Sequence, residues 1–237
     1  MLRALKSRIA DHLRRRWGVP EMGDSLRRLQ QAGFRPDHVL DIGAYQGDFA
    51  ALVGAVWPAA AISCFEPQPG RAEAIQARFG SQSNIRAYPL VLGPKSGDTV
   101  ELSLRETASS VLAEREQAAE ATVQLVTRSL DDWQTDTQAP PAQLLKLDVQ
   151  GYELAILQGG QRLLSAAEVL ILEVNLLDIH VGVPLLDEVI AWLRSRDFVA
   201  FDVAGLTRRP LDRALWQVDL VFVRLDSNLR RDKRWQA

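Results

Sequence analysis

Two acids set one strand-helix-strand unit apart, Asp41 and Glu66, have the spacing most suggestive of chemistry in this 237-residue chain. Residues 39–42 form an apolar run that includes Asp41 and leads at once into Gly43-Ala44-Tyr45-Gln46-Gly47. Two glycines at that spacing suit a tight turn and a helix start, with the backbone open to close approach by a ligand. A second apolar run, 61–65, ends in Glu66-Pro67, and a carboxylate at that point accepts hydrogen bonds from ribose hydroxyls. A parallel sheet holds an adenosine-type cofactor in this way. The turn lacks the middle glycine of G-x-G-x-x-G that admits a pyrophosphate, which counts against nicotinamide chemistry.

Further polar residues gather at the ends of later apolar runs. Asp148 closes 143–147, Glu153 follows five residues on, Glu173 closes 169–172 and Asn175 lies two residues beyond it. His180 sits in the next loop, and an imidazole suits proton transfer near neutral pH, although a lone loop histidine is more often incidental. Ser109 and Ser110 either hydrogen-bond a polar substrate or cap a weak helical segment at 111–119. The acids and the histidine come from separate elements, with no H-x-x-x-H or H-E-x-x-H run, so no metal centre is expected. Ser109 is not in a G-x-S-x-G elbow, and no Ser-His-Asp order is evident.

The elements that must position these residues alternate. Strands are predicted at 38–42, 61–65, 85–92, 143–147 and 169–172, with helices at about 47–57, 70–79, 152–164 (interrupted at Gly159-Gly160) and 185–195. Pro89 places the third strand at an edge or near its own end. Residues 93–127 break the rhythm with two short strands, 101–104 and 122–126, an insertion placed either to cover a substrate crevice or as an edge hairpin. A turn of helix is expected at 130–133. Runs at 198–203 and 216–225 read as a long hairpin, so the expected fold is α/β: a mostly parallel Rossmann-like sheet of seven strands with an antiparallel edge.

Before that sheet, Leu2, Leu5, Ile9 and Leu13 recur at helical spacing, and a second helix is expected from Asp24 or Ser25 to Ala32. The expected organisation is an N-terminal helical extension (1–33), one α/β domain (34–226, insertion 93–127) and a basic tail (227–237). The first helix packs on the domain, on a twin subunit in a homo-oligomer, or on a membrane surface; packing is favoured because no aromatic anchor accompanies the apolar line before Trp17.

A hydrophobic content of 47% and a charged content of 24% are those of an ordinary soluble domain, and no apolar run approaches the length of a membrane span. The single cysteine, Cys64, cannot form an internal disulfide, which fits a reducing, cytoplasmic setting. Eight Lys/Arg against three Asp/Glu in 1–28, and five against two in 224–237, leave the middle of the chain net acidic. That middle has no basic stripe with interleaved aromatics, so there is no strong nucleic-acid signal.

Asp41-Ile42-Gly43-Ala44-Tyr45-Gln46-Gly47 resembles the cofactor loop of class I S-adenosylmethionine-dependent methyltransferases. Phe65-Glu66-Pro67, the run from Leu145 through Asp148-Val149-Gln150-Gly151-Tyr152-Glu153, and Ile171-Leu172-Glu173-Val174 narrow the resemblance to the FkbM-like family, over about residues 33–223. Gln150 departs from the family pattern, where an acid is frequent. The resemblance implies S-adenosyl-L-methionine as cofactor and methylation of a hydroxyl oxygen on a sugar, glycolipid or small natural product. The alternatives are a methyltransferase acting on protein or nucleic acid, and a noncatalytic interaction module on the same fold.

Carried onto this chain, the resemblance implies cofactor contacts from Asp41, Gly43, Ala44, Tyr45, Gly47, Glu66, Pro67, Leu92 and Asp148, with Asp41 orienting the turn amides and Leu92 near adenine. Asp148 faces the transferable methyl group and is the first choice for the base that takes the hydroxyl proton. Glu153, Glu173 and His180 join it as catalytic candidates, with Glu153 either helping to bind substrate or capping the loop amides, and Ser109, Ser110 and Asn175 are substrate-binding candidates.

Overall fold

Strands buried on both faces must be apolar nearly throughout, and a parallel sheet covered by helices on each side makes that demand. The computed structural model describes residues 17–81, 84–104, 109–114 and 121–236. In chain order its elements are α1 (Met22–Gln31), β1 (His38–Ile42), α2 (Asp48–Val56), β2 (Ala61–Phe65), α3 (Arg71–Phe79), β3 (Ile85–Tyr88), β4 (Thr99–Ser103) and β5 (Thr122–Val126). Then follow α4 (Leu130–Thr137), β6 (Leu144–Leu147), α5 (Glu153–Gln158), α6 (Gln161–Ala166), β7 (Val169–Asn175), α7 (Leu186–Arg194), β8 (Phe198–Arg208) and β9 (Leu215–Arg224).

The main sheet has the order β3-β2-β1-β6-β7-β9-β8, parallel from β3 to β7, with β9 antiparallel to both β7 and β8. It is the expected seven-stranded methyltransferase sheet with antiparallel terminal strands. Strand β1 leads by crossovers to β2 and β3 on one side, and its other neighbour is β6. The β1/β6 boundary is therefore the switch point at which ligands bind in such sheets. The pair β4-β5 forms a separate antiparallel ribbon.

Two apolar layers close the sheet. Leu40, Leu145, Leu170 and Leu172 face a layer with Trp133, Leu157, Leu163 and Leu193. Their neighbours Val39, Leu144, Val169 and Ile171 face the opposite layer, with Leu26, Leu29, Ala50, Val53 and Ile75. Helix α1 belongs to that second layer, with Leu26 and Leu29 buried. The histidine beginning β1 is structural: the His38 ring lies within hydrogen-bond distance of the Pro140 carbonyl (2.9 Å) and of Ser63 Oγ (3.0 Å).

Several boundaries differ from the sequence reading. Strand β3 stops at Tyr88, because Pro89 has no N–H to continue the ladder. Strand β7 runs to Asn175 instead of ending at Leu172: its parallel pairing with β6 stops at Leu172, but the antiparallel register with β9 continues through Glu173↔Asp219 and Asn175↔Gln217. Residues 111–114 contain no helix but make an isolated bridge, Glu114↔His180, and 115–120 lie outside the described residues. The line of Leu2, Leu5, Ile9 and Leu13 also lies outside them, and with it the oligomer and membrane readings of that segment. Among the described residues, no helix is long and apolar enough to cross a membrane.

Candidate active site

A cavity of about 260 Å³ opens where β1, β2 and β6 end, at the switch point of the sheet. Of the residues singled out in the sequence, Gly43, Tyr45, Glu66, Pro67, Leu92, Ser109 and Asp148 line it. Its apolar wall is completed by Phe65, Leu90, Val91, Leu102, Val111, Val149, Tyr152 and Ile156.

The turn after β1 is built by hydrogen bonds to β2. Gly43 and Ala44 N–H both donate to the Phe65 carbonyl (3.0 and 3.1 Å), and Gly47 N–H donates to the Ala44 carbonyl (2.7 Å). At Gly43 φ is +79°, and a Cβ there would meet the Asp148 carbonyl oxygen at 1.9 Å, so only glycine lets the two loops cross. Asp41 does not orient these amides as expected, since the Phe65 carbonyl already takes them. Its carboxylate is fully buried below the turn, outside the cavity wall, with both oxygens lacking a hydrogen bond and Lys146 Nζ 3.5 Å away.

Glu66 is buried at the wall, accepting from Tyr45 N–H (2.7 Å) on Oε2 and from Gln68 N–H (3.0 Å) on Oε1. Each oxygen keeps a lone pair for a further donor. Burial pushes its pKa above the usual value, against the two amide bonds and the nearby Arg71 and Lys146 charges. The Arg71 guanidinium lies over the Tyr45 ring, 4.4 Å from its centre.

Just after β6, Asp148 is held on both oxygens. Lys146 Nζ lies 3.2 Å from Oδ2, and Gln150 Nε2 donates to Oδ1 at 3.3 Å. Lys146 also donates to the Gly43 carbonyl at 3.2 Å, tying β6 to the glycine turn. Burial alone would lower the Lys146 pKa, but Asp148 and Asp41 outweigh it and hold the ammonium above its ordinary value. The surrounding acids bind protons tightly: Asp41 is raised to about 6, chiefly by burial and with Lys146 opposing. Asp219 is also raised to about 6, by burial and by Asp148.

The remaining predicted residues lie around this cavity without lining it. Glu153 begins α5 and accepts from Val149 N–H (3.0 Å) and Gly151 N–H (3.1 Å), the loop-capping arrangement; burial raises it to about 7 against those bonds. Glu173 lies behind Asp148, where burial and the carboxylates of Asp148, Glu153 and Asp219 hold it well above the usual range. Ser110 Oγ donates to the Gln150 carbonyl (3.1 Å) and accepts from Leu112 N–H (2.9 Å), and Asn175 is buried at the end of β7. His180 is buried next to the Trp216 ring, 3.9 Å from Glu114. Ala44 and Gly47 complete the turn beneath the cavity, with Gly47 as the residue before α2.

The sequence reading missed Lys146 and Gln217. A lone lysine within the apolar run 144–147, in register with Asp41, is a readable signal for the first. Gln217 gives none, since a polar residue in the terminal hairpin reads equally as a solvent-facing position.

The sheet order, the glycine turn and the acid ending β2 together define the class I methyltransferase fold. A family model described as the methyltransferase FkbM domain matches residues 41–200, and the chain belongs to that family of S-adenosylmethionine-dependent methyltransferases. It is 25% identical, over 70% of this chain and 75% of the relative, to the 2-O-methyltransferase NoeI of Sinorhizobium fredii. The solved methyltransferase FkbM from Methylobacillus flagellatus KT is 18% identical, with a TM-score of 0.50, over 78% of this chain and 43% of its own. This chain thus spans less than half the length of that protein, and the likeness concerns the fold alone.

The cofactor of the family is S-adenosyl-L-methionine, and the cavity has the donor set to fit it. A buried carboxylate with free lone pairs stands at the end of β2, a glycine turn passes close to the cavity, and apolar side chains form the walls.

Proposed function

We propose that the protein transfers a methyl group from S-adenosyl-L-methionine to a hydroxyl oxygen of a carbohydrate, glycolipid or small natural product. The observation that supports this best is that one cavity is lined by both Glu66, after β2, and Asp148, after β6, the latter anchored by Lys146. Glu66 binds the ribose hydroxyls, the Gly43 turn supports the amino acid portion, and Leu92 with its apolar neighbours receives the adenine. When bound, the cofactor supplies an electrophilic methyl carbon on a sulfonium, already a good leaving group.

Such a reaction asks the protein mainly for orientation and exclusion of water. An alkyl hydroxyl is a weak nucleophile, so a carboxylate that takes its proton lowers the barrier. Asp148 does this, while Ser109, which lines the same cavity, hydrogen-bonds the acceptor. The likeness to the 2-O-methyltransferase NoeI supports an oxygen acceptor. The single cysteine is free and buried, which fits a reducing setting such as the cytoplasm.

An acceptor screen with isotopically labelled methyl donor tests the reading, using glycans, glycolipids, small polyols, proteins and RNA as separate pools. Label is expected in the hydroxyl compounds. Label confined to protein or nucleic acid overturns it.

A further inference from the structure

Behind Asp148, on the face of the sheet shared with α1 and α2, the ends of β6, β7 and β9 bring polar side chains into one buried array. Gln150, which also lines the cavity, is at its centre, with φ +57°, a left-handed backbone conformation. Its Nε2 donates both to Glu173 Oε2 (2.8 Å) and to Asp148 Oδ1 (3.3 Å). Gln217, from β9, donates through its Nε2 to the same Glu173 oxygen (2.7 Å) and to Gln150 Oε1 (3.0 Å). Gln150 and Gln217 are 6% and 2% exposed, so the two amides form a fixed bridge shielded from solvent.

Glu173 is buried beside the half-exposed Asp148 carboxylate, and without a donor between them the two oxygens repel or close on a shared proton instead of holding separate orientations. An amide donating to both removes the need to share. The charged groups facing this array are Asp41 from β1, Lys146 from β6, Asp148 from the loop after it, Glu153 from α5, Glu173 from β7 and Asp219 from β9. Lys146 reaches Asp148 and Asp41 but makes no ion pair with Glu173, whose hydrogen bonds come from the two glutamines.

We propose that Gln150, supported by Gln217, is a positioning residue that keeps the Asp148 carboxylate apart from Glu173 and turned to the cavity as the proton acceptor. The proposal rests on the methyl-transfer reading above and deepens it, giving the two acids different work: Glu173 stays behind as the proton holder, and Asp148 remains open to the acceptor hydroxyl.

The test uses the full chain and the variants Gln150→Leu, Gln150→Glu and Gln217→Leu, each checked for folding by its thermal transition. The first arm needs no acceptor: the Glu173 carboxyl is titrated by ¹³C NMR. Losing a donor to its charged form should move its titration up by half a pH unit or more in Gln150→Leu, and in the same direction in Gln217→Leu. The second arm measures kcat with the best acceptor from the labelled screen. Gln150→Leu should lose at least tenfold in kcat, with cofactor affinity changed by less than about threefold. In Gln150→Glu a protonated side chain can still donate and an ionised one repels both acids. Its kcat relative to the parent should therefore fall as the pH rises from 6 to 8.5.

An unmoved Glu173 titration in both leucine variants, or kcat losses of the same size at every pH in Gln150→Glu, overturns the proposal. Should Gln150→Leu fail to fold, Gln217→Leu tests the same bridge from β9. A parent protein that methylates no hydroxyl compound would sink the activity reading alone, because the NMR arm still judges the bridge.

Discussion

Glu66 is the residue through which cofactor recognition is most directly tested. Its two oxygens are fixed by the Tyr45 and Gln68 amides, so the carboxylate is aimed before any ligand arrives. A hydrogen bond to a charged group contributes about 1.5–3 kcal/mol. Glu66→Ala should therefore weaken S-adenosyl-L-methionine binding by roughly tenfold or more, read by calorimetry. Equal affinity in a folded variant would remove Glu66 from the ribose site. Glu66 and Asp148 were legible because each ends an apolar run, Glu66 directly before Pro67 and Asp148 three residues before Gly151. The contacts behind Asp148 were not, because Gln150, Glu173 and Gln217 meet only once β6, β7 and β9 are aligned. Spacing along the chain does not report that register.

At the scale of elements, the site depends on two loops that cross: the glycine turn after β1 and the Asp148 loop after β6. Gly43 lies against the Asp148 carbonyl and Lys146 donates to the Gly43 carbonyl, so neither loop moves alone. Gly43→Ala, with a strained φ and a backbone clash, should cost about 3 kcal/mol of stability in urea unfolding. It should also weaken cofactor binding; a variant as stable and as tight-binding as the parent would contradict the crossing-loop account. The alternation of strands and helices was legible from apolar periodicity, and so was the terminal hairpin. The end of β7 was not. Polar Glu173 and Asn175 read as the close of a strand, whereas antiparallel pairing with β9 extends the ladder past the last parallel partner, Leu172↔Leu147.

The whole molecule carries a stability cost for gathering these acids. Asp41 and Asp219 are raised to about 6 and Glu153 to about 7, mainly by burial. Each binds its proton more tightly in the folded chain than in the unfolded one. The folded state therefore holds more protons between the ordinary carboxylate range and those values, and stability must fall as the pH rises from about 4 to about 7. Glu153→Gln keeps an acceptor for the Val149 and Gly151 amides but removes the titration. Urea unfolding at pH 5 and pH 8 should show a smaller loss in the variant than in the parent, by on the order of 2 kcal/mol. Identical losses would show that Glu153 does not titrate in this window.

In the proposed reaction one cavity presents the methyl donor to an acceptor hydroxyl whose proton goes to Asp148. Single-turnover methyl transfer at saturating cofactor and acceptor, compared between the parent and Asp148→Asn, tests it most directly. Asparagine preserves the shape and can still bond Gln150, but it cannot take the proton. A positioned base contributes about 10²–10⁴ in rate. The transfer step should be at least about a hundredfold slower in Asp148→Asn, with cofactor affinity within about threefold of the parent. Equal single-turnover rates in the two proteins would contradict it.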